Sequence, residues 1–230
     1  MSPKLPKYSK NIFHDSTFAD KHKSENSKTV TASGPTKSAP GKSAGLSQHT
    51  PPERRNNSIV IELCCGSANF SFHISLYELA TIPVDWLRNN HKSKVPFVKL
   101  DLSVSAECKV LEDLIDSGNV RCILAAVPCG TASRAREIPL PDGSRGPPPL
   151  RSQEHPRGFP WLKGVDKTRV EKANLIYDNC LSLILRAHHK GAICILENPM
   201  RSWLWTIPEY HELLEFGFID VDLQHCKFFA

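Results

Sequence analysis

Ile59-Val60-Ile61-Glu62-Leu63, followed by Cys64-Cys65-Gly66-Ser67-Ala68, decides the fold of this chain. The first five residues are a short β-branched run of the kind that forms a buried strand. The next five are small and turn-forming. Apolar residues at Phe70, Ile74, Leu76, Tyr77 and Leu79 then recur with a helix-like period. Strand, tight turn and helix make the opening unit of an α/β domain. The pattern repeats downstream. Ala80 to Asp85 reads as a second strand and Phe97 to Asp101 as a third, each ending on an acid. Ser103 is placed to cap a helix over Val104 to Ser117, with Gly118 to stop it. Val120 to Val127 is apolar enough to lie inside a sheet covered on both faces. Lys172 to Lys190 reads as a helix, Ala192 to Leu196 as a fifth strand, Ile207 to Phe216 as a helix and Ile219 to Leu223 as a sixth strand. Alternating strands and helices predict a mostly parallel sheet with right-handed crossovers.

Outside that core the chain changes character. Residues 1–57 carry ten Lys and Arg against four Asp and Glu, a net +6. The other 173 residues carry nineteen against twenty, a net −1, so the overall +5 belongs to the N-terminal segment. That segment also holds nine Ser and six Pro with few aliphatics, too little apolar surface to offset the entropy of ordering. It is expected to be a disordered basic tail, with 58–230 as the catalytic-type domain. Residues 129–165 hold seven prolines and several arginines without periodicity, a long loop of the functional or disordered kind.

Composition excludes several classes. No apolar run reaches the roughly 20 residues of a membrane-spanning helix, and no apolar stretch follows the lysines of the first residues as a secretory signal requires. The eight cysteines form no Cys-x-x-Cys pair, so no zinc ribbon or other metal site is expected. They read as reduced thiols of an intracellular protein, nuclear in a eukaryotic cell.

Ligands of open parallel sheets sit beyond the carboxyl ends of the strands. The residues predicted there are Gly66, Asp85, Asp101, Cys129 and Glu197. Small residues after the first strand let backbone amides approach a ligand. Asp85, about 20 residues on, is where an acid accepts hydrogen bonds from ribose hydroxyls. Asp101 is placed to accept from an exocyclic adenine amine. Cys129, led in by Pro128 and followed by Arg134 and Arg136, is a candidate nucleophile. Glu197, expected to be partly desolvated, is a candidate proton donor. Each has a plainer use as well: a tight turn, a helix cap, an inert small hydrophobe, a strand-end acid.

Taken in order, these residues resemble the motifs of the cytosine-5 DNA methyltransferases. Ile61-Glu-Leu-Cys-Cys-Gly-Ser-Ala-Asn-Phe-Ser71 resembles the turn that holds S-adenosylmethionine in that family, Asp-Leu-Phe-Ala-Gly-x-Gly-Gly-Phe-Ser. Val84-Asp-Trp86 and Leu100-Asp-Leu102 resemble the second and third motifs, Val127-Pro-Cys-Gly130 the Pro-Cys motif, and Glu197-Asn-Pro199 the Glu-Asn-Val motif. The run Pro-Cys-Gly-Thr-Ala-Ser-Arg-Ala-Arg-Glu-Ile-Pro139 looks like a divergent, mobile-element-associated branch. The resemblance implies a Rossmann-like S-adenosylmethionine-dependent methyltransferase fold. It implies Glu62, Cys64, Gly66, Ala68, Phe70, Asp85, Trp86, Asp101, Leu102 and Pro128 around the cofactor, with Cys129 and Glu197 catalytic and Arg134, Arg136 and Asn198 on the substrate. DNA is the implied partner, with RNA as the other nucleic acid to consider. Only Gly66 of the three motif glycines is kept, Gly130 stands where the family has glutamine, and the later Gln-x-Arg-x-Arg motif would align near Leu223–Lys227 without its arginines. The competing reading is therefore an inactive adenosyl- or nucleic-acid-binding module.

Overall fold

The computed structural model describes residues 58–144 and 146–223. The expected basic tail, residues 1–57, lies outside the described residues. The domain is α/β. Five strands, β1 (Ile59–Leu63), β2 (Ala80–Asp85), β3 (Val98–Lys99), β4 (Val120–Ala126) and β5 (Ile193–Glu197), form one sheet in the order β3-β2-β1-β4-β5. Every pairing is parallel, so the sheet is Rossmann-like in architecture. The helices are α1 (Asn69–Ser75), α2 (Ser105–Asp116), α3 (Gly164–His189) and α4 (Pro208–Glu215). None of the described helices is long and apolar enough to cross a membrane.

Register explains which side chains fill the core. Ile61 pairs with Ile123 and Leu63 with Ala125, and all four are fully buried. Cys194, opposite Ile123, donates to the Ile184 carbonyl of α3, so this face of the sheet packs on α3. The opposite face carries Glu62, whose carboxylate accepts the Ser71 N–H of α1 at 2.8 Å. Strand alternation thus sends β1 residues alternately to α3 and to α1. Each fully buried Ile or Leu contributes about 1.5–3 kcal/mol.

Several expectations need correction. No strand forms over Ile219 to Leu223. The segment is irregular, with Ile219, Val221 and Leu223 exposed, and Asp220 accepts from the Tyr210 hydroxyl. Alternation of apolar and acidic residues supplies strand propensity, but the free edge of β5 is not paired with it. Ser103 does not cap α2. Its hydroxyl donates to Asp101 at 2.6 Å, and the extended N-cap residue is Val104. The first helix stops at Ser75, four residues short of Leu79, and Leu76 and Tyr77 stand in solvent. The helix expected from Lys172 begins at Gly164 instead; half of the eight added residues are charged, and they hide the apolar period there.

The 129–165 stretch is pinned rather than structureless. Leu150 and Arg151 are 1% exposed. The Arg151 guanidinium donates to Thr131 Oγ1, to the Pro156 and Val170 carbonyls and to Asn174 Oδ1, and it lies over the Tyr177 ring. Burial draws this group down from its usual pKa.

Candidate functional site

A cleft of about 550 Å³ opens at the carboxyl ends of β1, β2 and β4, within the roughly 300–1,000 Å³ typical of small-molecule sites. Of the residues that the resemblance implies around a cofactor, Cys64, Gly66, Asp85, Trp86, Asp101, Leu102 and Pro128 line it. Ala68 and Phe70 lie beyond the wall, in the turn and first helix. Glu62 is buried behind it and spends its carboxylate on α1.

The turn after β1 is held in an unusual backbone state. Cys64, Gly66 and Ala68 all have positive φ, at 56°, 53° and 53°. Only glycine adopts that region without strain, and an L-residue there costs about 1–2 kcal/mol. Ala68 thus keeps the left-handed conformation at a position where the resembling motif has glycine. Cross-links hold the turn: Gly66 N–H donates to Asp85 Oδ2 at 2.7 Å, and Asn89 Nδ2 donates to the Gly66 carbonyl at 2.6 Å. The other Asp85 oxygen accepts its neighbour's N–H, from Trp86, at 2.8 Å. Cys65, next to Cys64, is a different kind of thiol. Burial, with Asp85 and Glu62 nearby, pushes it up to about 12.

Asp101 is already partnered. Its carboxylate accepts from Ser103 and forms an ion pair with Lys172 at 2.7 Å. Burial would raise its pKa, but the Lys172 and Ser103 hydrogen bonds outweigh that and leave it below the usual carboxylate value. The Lys172 ammonium also sits 5.0 Å from the Trp86 ring centroid. One lysine therefore engages both the acid and the ring on this side of the cleft.

Cys129 is half-buried in the loop just beyond β4, between the wall residues Pro128 and Gly130. Its backbone is bracketed from four directions. Asn198 Nδ2 donates to the Val127 carbonyl at 2.8 Å, and the Tyr177 hydroxyl to the Pro128 carbonyl at 2.7 Å. The Cys129 carbonyl accepts from Ala132 and Ser133, and Thr131 is held by Arg151. Asn198 is buried, and its Oδ1 has no partner among the described residues.

Arg134 and Arg136, expected on the substrate, have partners within the chain. Arg134 pairs with Glu137 at 2.9 Å and lies over the Trp203 ring. Arg136 donates to the Pro148 and Gly130 carbonyls. Both arginines brace the loop. Glu197 is exposed, not partly desolvated, because β5 is the outermost strand and no described element covers its carboxyl end.

The cleft also uses residues that sequence reasoning missed. Arg169, Lys172, Ala173 and Ile176 of α3 line its far wall, with Arg88, Asn89 and His91 from the β2–β3 connection. The spacing Arg169, Lys172, Ala173, Ile176 is one helical stripe, and it was legible had the helix been started at Gly164. No family model, no curated protein and no solved structure matches the chain.

Proposed function

We propose that this protein transfers a methyl group from S-adenosylmethionine to carbon five of cytosine in DNA, through a covalent adduct on Cys129. The observation that carries this reading is the convergence of the Cys64–Ala68 turn, Asp85, Trp86, Asp101, Leu102 and Pro128 on one cleft, with Cys129 fixed beside its wall. An adenosyl group fits this set in size, in the strand-end acids and in the Trp86 ring. It requires Lys172 to move off Trp86 and Asp101.

The methyl donor supplies an electrophilic methyl group on a sulfonium. The chain's own residues do the rest. Asp85 orients the ribose while holding Gly66. The Cys129 thiolate adds to carbon six of a cytosine turned out of its duplex. The electron pair of the carbon five–carbon six double bond would thereby be freed to take the methyl group at carbon five, the methyl–sulfur bond breaking with its pair left on the thioether product. Transfer of the carbon-five proton to solvent would then re-form the double bond and expel the Cys129 thiolate. Covalent addition splits one difficult substitution into easier steps. Glu197 reaches the base only if the bound nucleotide closes over the end of β5. That exposure favours a second reading, an adenosyl- or nucleic-acid-binding module without transfer.

The test is trapping. DNA containing 5-fluorocytosine, incubated with the protein and S-adenosylmethionine, should yield a denaturation-resistant adduct, because fluorine cannot leave as the proton does. Cys129→Ser should abolish it. Adenosyl binding by calorimetry without trapping would select the second reading. Absence of adenosyl binding at millimolar ligand would remove the transferase and the adenosyl-binding module, leaving only a nucleic-acid-binding one.

A further inference from the structure

We infer that Phe159 and Trp161 form a stacking platform for single-stranded nucleic acid, separate from the cleft. The two rings lie parallel within 11° and 4.7 Å apart. His155 packs edge-on against both, at 5.8 and 5.6 Å. Phe159 therefore covers one face of the indole, yet Trp161 remains 63% exposed, and Val165 beside it is 74% exposed. A large aromatic surface left open on a rigid support is the kind of feature that marks an interaction site.

The support is rigid for reasons visible in the backbone. Phe159 N–H donates to the Leu150 carbonyl, Gly158 N–H to His155 and Leu162 N–H to Phe159. Arg157 is clamped between Asp178 and Glu209, each at 2.6 Å. Gly158, at φ +108°, packs so closely that a Cβ there would meet Val170 Cγ1 at 2.5 Å. The aromatic pair is thus held in place before any ligand arrives.

Charge selects the occupant. Residues 157–172 carry five Lys and Arg against two Asp and Glu; Arg157 is held by Asp178 and Glu209 and Lys172 by Asp101, which leaves Lys163, Lys167 and Arg169 for a ligand. Lys163, Lys167 and Arg169 follow Trp161 and are exposed; Lys167 and Arg169 make only long, solvent-exposed pairs, with Glu171 at 3.7 Å and Asp166 at 3.9 Å. An open aromatic face beside a run of cations matches the two halves of a nucleotide, a flat base and a phosphate. A duplex keeps its bases stacked on each other, so the exposed ring face fits unpaired bases. From Gly164 to Lys172 is about 12 Å of helix rise, which joins the platform to the cleft wall along one edge of α3. The surface would serve the nucleic-acid substrate proposed above, but its binding is measurable without methyl donor.

The experiment is fluorescence anisotropy of a labelled oligo-dT 12-mer with the full chain and no methyl donor. Trp161→Ala should weaken binding roughly 5- to 150-fold without lowering the melting temperature, since the side chain is exposed. Trp161→Phe should retain most of the affinity. Lys163→Gln should reduce the slope of log affinity against log salt by about 0.7. Wild-type protein that binds no oligonucleotide at low salt overturns the platform, as does wild-type affinity in Trp161→Ala. A concentration-dependent self-association that disappears in Trp161→Ala, with oligonucleotide binding unchanged, would assign the surface to a second copy instead. Oligonucleotide binding lost in Trp161→Ala alongside no trapping at Cys129 leaves the platform standing and removes the transferase. Trapping with oligonucleotide affinity indifferent to Trp161 does the reverse.

Discussion

Arg151 is the side chain on which the loop after Cys129 depends. It lies 22 positions after Cys129, within the stretch that reads as irregular, yet it is as buried as the core leucines. Burying a guanidinium is costly unless its donors are used. Here they reach Thr131, Pro156, Val170 and Asn174, which ties the loop to itself and to α3. Arg151→Lys keeps the charge and loses the planar fork. It should leave buried acceptors unsatisfied and lower stability by about 2–4 kcal/mol, read as a lower urea midpoint with an unchanged slope. A change within 0.5 kcal/mol of zero, roughly the scatter of surface substitutions, would show that water replaces the guanidinium. The same accounting separates the thiols. Burial raises Cys65 and Cys108 each to about 12, and both are core groups, whereas Cys129 is half-buried in a braced loop.

Among the elements, α3 carries most of the organisation. Its middle packs on β4 and β5 through residues such as Tyr177, Leu181 and Ile184, all fully buried. Its first turns supply Arg169 and Lys172 to the cleft, and Val170 closes against Gly158. That last contact makes a sharp prediction. Gly158→Ala adds a Cβ 2.5 Å from Val170 Cγ1 at a φ of +108°, so overpacking and backbone strain act together. The loss should be about 3 kcal/mol, measured by thermal or urea unfolding, and Gly158→Ala/Val170→Ala should recover part of it. Gly130, with nothing within 4 Å of its would-be Cβ, is the control position.

For the whole molecule, the sheet is covered unevenly. The face toward α3 is closed. On the α1 side, Ile193 and Ile195 of the outermost strand are 67% and 41% exposed. Their register partners Cys122 and Leu124 are half-buried. Side chains that remain in solvent contribute little to folding but favour association through an open edge. Ile193→Thr with Ile195→Thr should therefore leave stability within about 1 kcal/mol and raise solubility, measured by unfolding and by the concentration at which light scattering appears. Ile123→Ala, at a fully buried position on the neighbouring strand, should cost about 2–5 kcal/mol. Equal losses in the two variants would mean that the outer face is covered in solution.

What the sequence by itself determined is the succession of elements and the composition of the cleft's near wall. Apolar runs at Ile59–Leu63 and Val120–Ala126 state their own burial, and strand-helix alternation then requires parallel pairing. The ends of the strands follow, which is why Gly66, Asp85 and Asp101 were legible as neighbours. What only the tertiary structure decided is the state of each of those residues. Lys172 meets Asp101 across 71 positions and Asn198 meets Val127 across another 71. Periodicity records which side of one element faces the core, and it holds no record of which partner arrives there. Glu197 shows the same limit: strand propensity placed it at the end of β5, but its exposure depends on whether another element covers that edge. Ile219–Leu223 has the alternation of a strand and stays irregular, because a strand exists only where its backbone finds a ladder to join.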